Sequence, residues 1–180
     1  MKTLEIYEYL LHYSYKKIYQ TDIANFLKCS KMLVSKVIKE LELKGITARD
    51  SKNAVAVINP LLLASHLAFE QERIKQIYFQ APEYKDTLAV LKKTLYLITS
   101  KSAKEIIQGK EPKTITAHVL ENHLSILSKY FNQVNNKEKA NLIIYPAKPI
   151  KFLTNDVIKG INLANEWQLS IDSLKENKIY

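Results

Sequence analysis

Three short helical patterns followed by two short strand patterns, all within the first 60 residues, constrain the fold more than any other feature of this sequence. Apolar residues recur at helical spacing from Thr3, which suits an N-cap, to Ile18, and they predict a first helix. Thr21 is placed to cap a short second helix. A third helix is predicted over Ser30–Lys44, and Gly45 follows it at the position of a left-handed C-cap.

The rest of the chain predicts a hairpin, a connecting helix and a second domain. Residues 46–58 form two short strand-like runs around a polar turn, which is typical of a hairpin. Pro60 suits the first position of a helix, which we expect to be a linker over residues 61–80 and to include Ile74, Ile77 and Tyr78. Within residues 81–180 the predicted helices (84–93, 102–108, 124–131 and 166–175) alternate with the predicted strands (95–99, 114–120, 140–145 and 150–153). We therefore expect an α+β fold with domains at 1–60 and 81–180, the second being a small α/β domain.

The net charge indicates a polyanionic partner. The chain carries 27 basic and 18 acidic residues, and its formal net charge of +9 raises the rate of encounter with polyanions. Arg49 and Arg73 are the only arginines, so the excess is almost entirely lysine. Lysine acts as a hydrated point charge on phosphate, whereas arginine carries the fork that reads guanine. The charge favours attraction to a nucleic-acid backbone, although an AT-rich genome or a hot habitat produces a similar composition.

The predicted third helix has two different sides, as a helix that enters the major groove needs. Its apolar residues Val34, Val37, Ile38 and Leu41 repeat at helical spacing and predict the buried side. The opposite side carries small and cationic groups, which suit base edges and phosphates. The sequence therefore predicts a DNA-binding surface on this helix.

The candidate DNA contacts fall into three groups. Base-edge contacts are expected from two residues early in the helix, and phosphate contacts from the neighbouring lysines and the helix start. Two cations of the hairpin are expected to reach the adjacent backbone or the minor groove. The base-edge candidates are Ser35 and Lys36. The phosphate candidates on the helix are Lys31, Lys39 and Ser30, and the cations of the hairpin are Arg49 and Lys52. Met32 is on the same side of the helix.

The segment Leu33–Ile46, with the sequence LVSKVIKELELKGI, resembles the recognition helix and exit turn of winged helix-turn-helix regulators of the broad MarR-like type. In that family the serine and the following basic residue, here Ser35 and Lys36, face DNA. The hairpin after the helix is called the wing. The resemblance implies a sequence-specific regulator of transcription that binds double-stranded DNA, most simply a repressor. We expect a homodimer whose recognition helices lie about 34 Å apart and meet successive major grooves.

Residues 94–176 resemble the C-terminal domain of abortive-infection antitoxin-like regulators of the AbiE type. The segments that carry this resemblance are Leu95–Ala103, Ala140–Pro146 and Asn165–Leu174, in that order. The likeness implies repression of the protein's own operon and neutralisation of a partner toxin. An alternative function is therefore an antitoxin-like or adaptor protein whose C-terminal domain binds a partner protein. Winged helices also serve as protein-interaction modules, and Glu40 and Glu42 slightly favour that interpretation.

The sequence gives no pattern for catalysis, for a cofactor or for a metal. His118 and His123 have one residue too many between them to share a helical face as zinc ligands. Glu111–Lys113 has the acid-x-lysine order of many nucleases, but its central proline removes a strand donor. With only 3 glycines in the chain, no Gly-rich phosphate loop is present. We therefore expect a protein that is not an enzyme.

Compartment and membrane contact are also indicated by the sequence. No run of about 18 apolar residues occurs, and the first residues lack the apolar core of a signal peptide. Cys29 is the single cysteine and cannot form an internal disulfide. We expect a cytoplasmic protein that does not associate with a membrane.

Overall fold

The computed structural model describes residues 2–71, 75–153 and 155–176. Contacts within the chain divide it into two compact units, Met1–Glu72 and Arg73–Tyr180. Each unit combines helices with a β-sheet, of two strands in the first unit and seven in the second. The fold is therefore of the mixed α+β class, as the sequence predicts.

The first unit has three helices, a two-stranded sheet and a further helix. Its core consists of apolar side chains from all four helices, including Leu10, Ile23, Ile38 and Leu63, which are fully buried. The elements are α1 (Lys2–His12), α2 (Gln20–Leu27), α3 (Lys31–Leu43), β1 (Thr47–Arg49), β2 (Val55–Val57) and α4 (Pro60–Gln71).

A tight turn joins α2 to α3. Lys28 ends α2 in the left-handed conformation at φ +50°, and its N–H bonds back to carbonyls of the last turn. Two residues later Ser30 starts α3 as its N-cap. Gly45, at φ +67°, follows α3 in the left-handed region that favours glycine. These local signals explain why the sequence predicts α3 almost to the residue.

The hairpin pairs β1 with β2 in an antiparallel register, with Thr47 opposite Val57. Ile18, in the segment before α2, exchanges two backbone hydrogen bonds with Val55 at 2.7 and 2.9 Å. This one-residue bridge connects the segment between α1 and α2 to the small sheet.

Two predictions for the first two helices were wrong. The first helix ends at His12, and Ile18 lies in the bridge to the hairpin. The second helix begins at Gln20 with Tyr19 as its N-cap, so Thr21 lies inside the helix and does not cap it.

The linker helix predicted over residues 61–80 is shorter than expected. It ends at Gln71, while Ile77 and Tyr78 belong to a strand. Ile74, predicted on the same helix, lies outside the described residues. A short apolar run such as Ile77–Phe79 fits a buried strand as well as a helix, which is why periodicity alone misassigned it.

The second unit is built on a mixed seven-stranded sheet with the strand order β6-β3-β7-β5-β4-β9-β8. The central strands β5 and β7 are parallel, with Ile115 opposite Leu142 and His118 opposite Tyr145. The strands are β3 (Ile77–Gln80), β4 (Tyr96–Ile98), β5 (Ile115–Leu120), β6 (Asn132–Val134), β7 (Leu142–Ala147), β8 (Asn155–Ile158) and β9 (Ile161–Ala164), and the helices are α5 (Tyr84–Leu91), α6 (Ser100–Ile107), α7 (Leu124–Tyr130) and α8 (Glu166–Glu176).

The two faces of this sheet differ in chemistry. Successive strand residues point to opposite faces. Ile115, Ala117 and Val119 of β5 belong to the apolar core, which also includes Leu91 of α5 and Leu127 of α7. The alternate residues of the central strands form the other face: Thr116 and His118 of β5, and Ile143 and Tyr145 of β7. This second face, which we call the polar face, carries the buried polar residues Thr116 and His118.

For this unit the sequence predicts the four helices and some of the seven strands. The strand predicted over 150–153 is a short 3-10 helix, Pro149–Phe152, which begins at a proline. Strands β6, β8 and β9 were not predicted. Both edge strands are rich in polar residues, such as Asn132 and Gln133 in β6, so they lack the apolar alternation that indicates a strand. No helix among the described residues is long and apolar enough to cross a membrane.

Candidate functional site

The side of α3 that the sequence assigns to DNA is exposed. Lys31, Lys36 and Lys39 are all exposed, and Met32 keeps 81% of its surface. Ser35 is half-buried between them. The opposite side of the helix is buried through Val34, Val37, Ile38 and Leu41, at 0 to 2% exposure. Residues 31, 35 and 39 repeat at the four-residue spacing of one helical face, so the predicted contacts share one surface, which we call the lysine face.

The start of the lysine face is fixed by a side-chain cap. The hydroxyl of Ser30 accepts a hydrogen bond from the backbone N–H of Leu33 at 3.2 Å. An N-cap satisfies one of the donors that a helix start leaves without an intrahelical partner. Ser30 therefore fixes the start of the helix that carries the lysine face. It is also exposed and lies next to Lys31 in the chain.

Replacing Ser30 by alanine is expected to loosen α3. Loss of an N-cap serine typically costs about 1 kcal/mol of helix stability. We expect the free energy of opening of the α3 amides, measured by hydrogen exchange, to fall by about 1 kcal/mol. Ser51→Ala, at an exposed position in the hairpin turn, is the matched control and should leave these amides unchanged. Equal protection in both variants would contradict the capping role.

The hairpin turn is organised by Asp50. Its carboxylate accepts hydrogen bonds from the backbone N–H groups of Lys52 and Ala54, at 2.9 and 3.0 Å, and pairs with the Lys17 ammonium at 2.9 Å. The hydrogen bond from Lys17, followed by those from Ala54 and Lys52, holds the pKa of Asp50 below its ordinary value. Lys52 therefore has its backbone in a fixed turn while its side chain is exposed, as a phosphate contact requires.

Arg49 lies in a different environment from the one expected. Its Nε is 2.8 Å from Oε1 of Glu42, and both side chains are partly exposed, at 29 and 26%. The pair joins β1 to the last turns of α3. A partly exposed ion pair of this kind contributes only about 0 to 1 kcal/mol, so a phosphate can share the guanidinium. The pair orients Arg49 on the hairpin, and its contact with DNA stays a prediction.

The second unit contains a buried polar cluster centred on Asp172 of α8. Asp172 is 1% exposed and His118 is 2% exposed. The Asp172 carboxylate accepts a hydrogen bond from the Thr99 hydroxyl and one from the Gln168 amide at 2.7 Å, and it lies 3.0 Å from Nε2 of His118. Buried polar groups are stable only when their hydrogen bonds are made, and these contacts satisfy the carboxylate.

The cluster continues across the polar face. The His118 ring packs against the Tyr145 ring with centroids 5.3 Å apart. The Tyr145 hydroxyl accepts a hydrogen bond from the Gln76 amide at 2.7 Å, and Gln76 in turn accepts one from the Tyr78 hydroxyl at 2.7 Å. The contacts thus run from α8 to β3 through both central strands.

Three segments that are far apart in the chain meet at this cluster. Thr99 comes from Leu95–Ala103, Tyr145 from Ala140–Pro146, and Asp172 from Asn165–Leu174. The sequence did not predict the cluster, because the hydrogen-bonded pairs are 54 and 73 residues apart in the chain. Its only sequence signal was the occurrence of polar residues, His118 among them, inside otherwise apolar strand patterns.

The candidate catalytic and metal residues do not come together. His118 bonds to Asp172, whereas Nδ1 of His123 accepts the backbone N–H of Leu95 at 2.9 Å. Glu111–Lys113 lies in the loop between α6 and β5 and not in a strand. Among the residues that the structure describes, no group of three or more His, Cys, Asp or Glu side chains is arranged to hold a metal ion.

Comparisons with known proteins give no match. No family model, curated protein or solved structure was found to be similar to this chain.

Proposed function

We propose that the chain is a DNA-binding regulator of transcription that places α3 in the major groove of duplex DNA, with the hairpin as a wing against the adjacent backbone. The observation that carries the proposal is the lysine face. Lys31, Lys36 and Lys39 are exposed on one side of a capped helix, and none of them forms an ion pair with a described residue. Their charges are thus available to phosphates.

The dimensions of α3 support the proposal. A helix of 13 residues is about 20 Å long, and its width suits the major groove, which is about 12 Å wide. Lys31 lies in the first turn, where exposed backbone N–H groups add to its attraction for a phosphate. Ser35 and Lys36 follow one turn later, at the part of the helix that enters deepest in helix-turn-helix proteins. The acidic residues Glu40 and Glu42 lie late in α3, and Glu42 is paired with Arg49.

Binding of duplex DNA at increasing salt concentration tests the proposed function. The dissociation constant of the full chain for a mixed-sequence duplex of about 30 base pairs is measured by fluorescence anisotropy between 50 and about 300 mM salt. Three to four lysine–phosphate contacts per subunit predict a log–log slope of about −3 to −4 for each subunit bound. Absence of binding at the lowest salt concentration would overturn the proposal and favour the protein-binding alternative.

A DNA-binding regulator also implies a preferred sequence. We expect selection from a random duplex library to enrich one motif, with two half-sites about one helical turn apart if the active form is a homodimer. Recovery of one half-site alone would indicate a monomer on DNA, and no enrichment would contradict sequence-specific binding.

A further inference from the structure

A cleft of about 730 Å³ lies in the second unit, beside the first turn of α6. Its floor includes Ser102, Thr116 and Ile143, which are buried, and its rim consists of the other lining residues, which are exposed, except Glu105, which is partly buried. Four of the rim residues are lysines from three separate parts of the chain: Lys101 in α6, Lys110 and Lys113 in the loop before β5, and Lys137 after β6.

The floor contains the hydroxyl group of Thr116. Thr116 is 9% exposed, and its side chain makes no hydrogen bond with a described residue. By contrast, its backbone is fully engaged: its carbonyl accepts from the Thr99 N–H at 2.9 Å, and its N–H donates to the Ser102 hydroxyl at 3.0 Å. The Ser102 hydroxyl in turn donates to the Thr99 carbonyl at 2.7 Å. The Thr116 hydroxyl lines the cleft, so it can donate a hydrogen bond to an oxygen of a ligand.

The rim has an excess of positive charge. Four lysines face two acidic residues, Glu105 and Glu111, so the lining carries a formal charge of 4 minus 2, or +2. Glu105 is already paired with Lys101 at 3.7 Å. Lys110, Lys113 and Lys137 form no ion pair with a described residue. Like charges held around one concave surface repel each other unless an anion lies between them.

We propose that this cleft binds a small molecule that carries phosphate groups and is about the size of a nucleotide. Several lysines around a hydroxyl donor match the several acceptor oxygens and the charge of a phosphate or diphosphate group. The volume lies within the range of about 300 to 1,000 Å³ that is typical of small-molecule sites. The first turn of α6 adds the positive end of a helix, since its N-cap residue Thr99 gives its hydroxyl to Asp172 and not to the helix start. This site is separate from the lysine face and does not depend on the proposed function.

Isothermal titration calorimetry of the full chain with inorganic pyrophosphate and with ADP, at low salt, tests the proposal. We expect both probes to bind with dissociation constants below about 1 mM. Lys113→Ala together with Lys137→Ala should weaken binding at least about tenfold, and Thr116→Val about fivefold. The control is Lys85→Ala together with Lys92→Ala, which removes the same charge from exposed positions on and just after α5 and should leave binding unchanged.

Three results would overturn the proposal. The first is no heat of binding with either probe, and the second is equal affinity in the wild type and in the Lys113 and Lys137 double variant. The third is binding of a 12-nucleotide single-stranded DNA through these lysines with no binding of pyrophosphate or ADP, which would identify a nucleic-acid surface instead. Binding of ADP but not pyrophosphate would still support the site and would show that it also recognises the nucleoside. The Lys36→Ala and Lys39→Ala double variant should retain pyrophosphate binding, so failure of the DNA-binding proposal is distinguishable from failure of this one.

Discussion

Replacing Lys36 and Lys39 together by alanine is expected to weaken binding of duplex DNA about 30-fold near 100 mM salt and to flatten the log–log salt slope by about two units. Both side chains are exposed on the lysine face, so their removal should leave the fold intact. Each lost phosphate contact removes about one unit of slope, because fewer counterions are released. Fluorescence anisotropy at four salt concentrations gives both quantities.

The charge-matched control separates this surface from the effect of net charge. The Lys85→Ala and Lys92→Ala double variant also lowers the net charge by two, but in the second unit. We expect the control to bind DNA within about twofold of the wild type at this salt concentration, because neither lysine belongs to the lysine face and salt screens attraction that is not a direct contact. Equal losses in both double variants would show that only the overall charge of the chain matters.

Replacing Asp172 by alanine is expected to destabilise the second unit by about 3 to 5 kcal/mol. The substitution leaves the Thr99 hydroxyl, the Gln168 amide and the His118 ring without their shared acceptor, in a place from which solvent is excluded. Urea unfolding followed by the fluorescence of Trp167 reports on this unit, because Trp167 is the only tryptophan and lies in α8.

Two further variants give this prediction its controls. Asp156→Ala removes an exposed carboxylate from the edge strand β8 and should change the free energy of unfolding by less than about 0.5 kcal/mol. Asp172→Asn keeps the shape of the side chain and one acceptor oxygen, so its loss should be intermediate. A loss below about 1 kcal/mol in Asp172→Ala would contradict the view that the cluster stabilises this unit.

The parts of the fold that the sequence predicted are those with local signals. The start of α3 could be predicted because Ser30 is a good N-cap, and the exit could be predicted because Gly45 has the backbone freedom that the turn needs. Its buried side could be predicted because Val34, Val37, Ile38 and Leu41 keep a helical period. The candidate DNA surface followed from the same helix.

What the sequence did not reveal depends on contacts between distant segments. Ile18 continues the apolar period of α1, but its backbone pairs with Val55, 37 residues later. The ion pair of Arg49 with Glu42 forms across the turn between α3 and β1, which the sequence does not reveal. The buried polar cluster around Asp172 and the cleft beside α6 each combine residues from several elements and loops. No short segment of the sequence contains either arrangement.

A crosslinking measurement tests the central claim about the lysine face most directly. A photoreactive maleimide is attached at Ser35→Cys in a Cys29→Ser background, and the same probe at Ser125→Cys, an exposed position on α7, is the control. If α3 enters the groove, irradiation with labelled duplex DNA gives a covalent adduct from position 35, and an excess of unlabelled duplex removes it. Equal crosslinking from both positions, or an adduct from position 125 alone, would contradict the proposed placement of α3 on DNA.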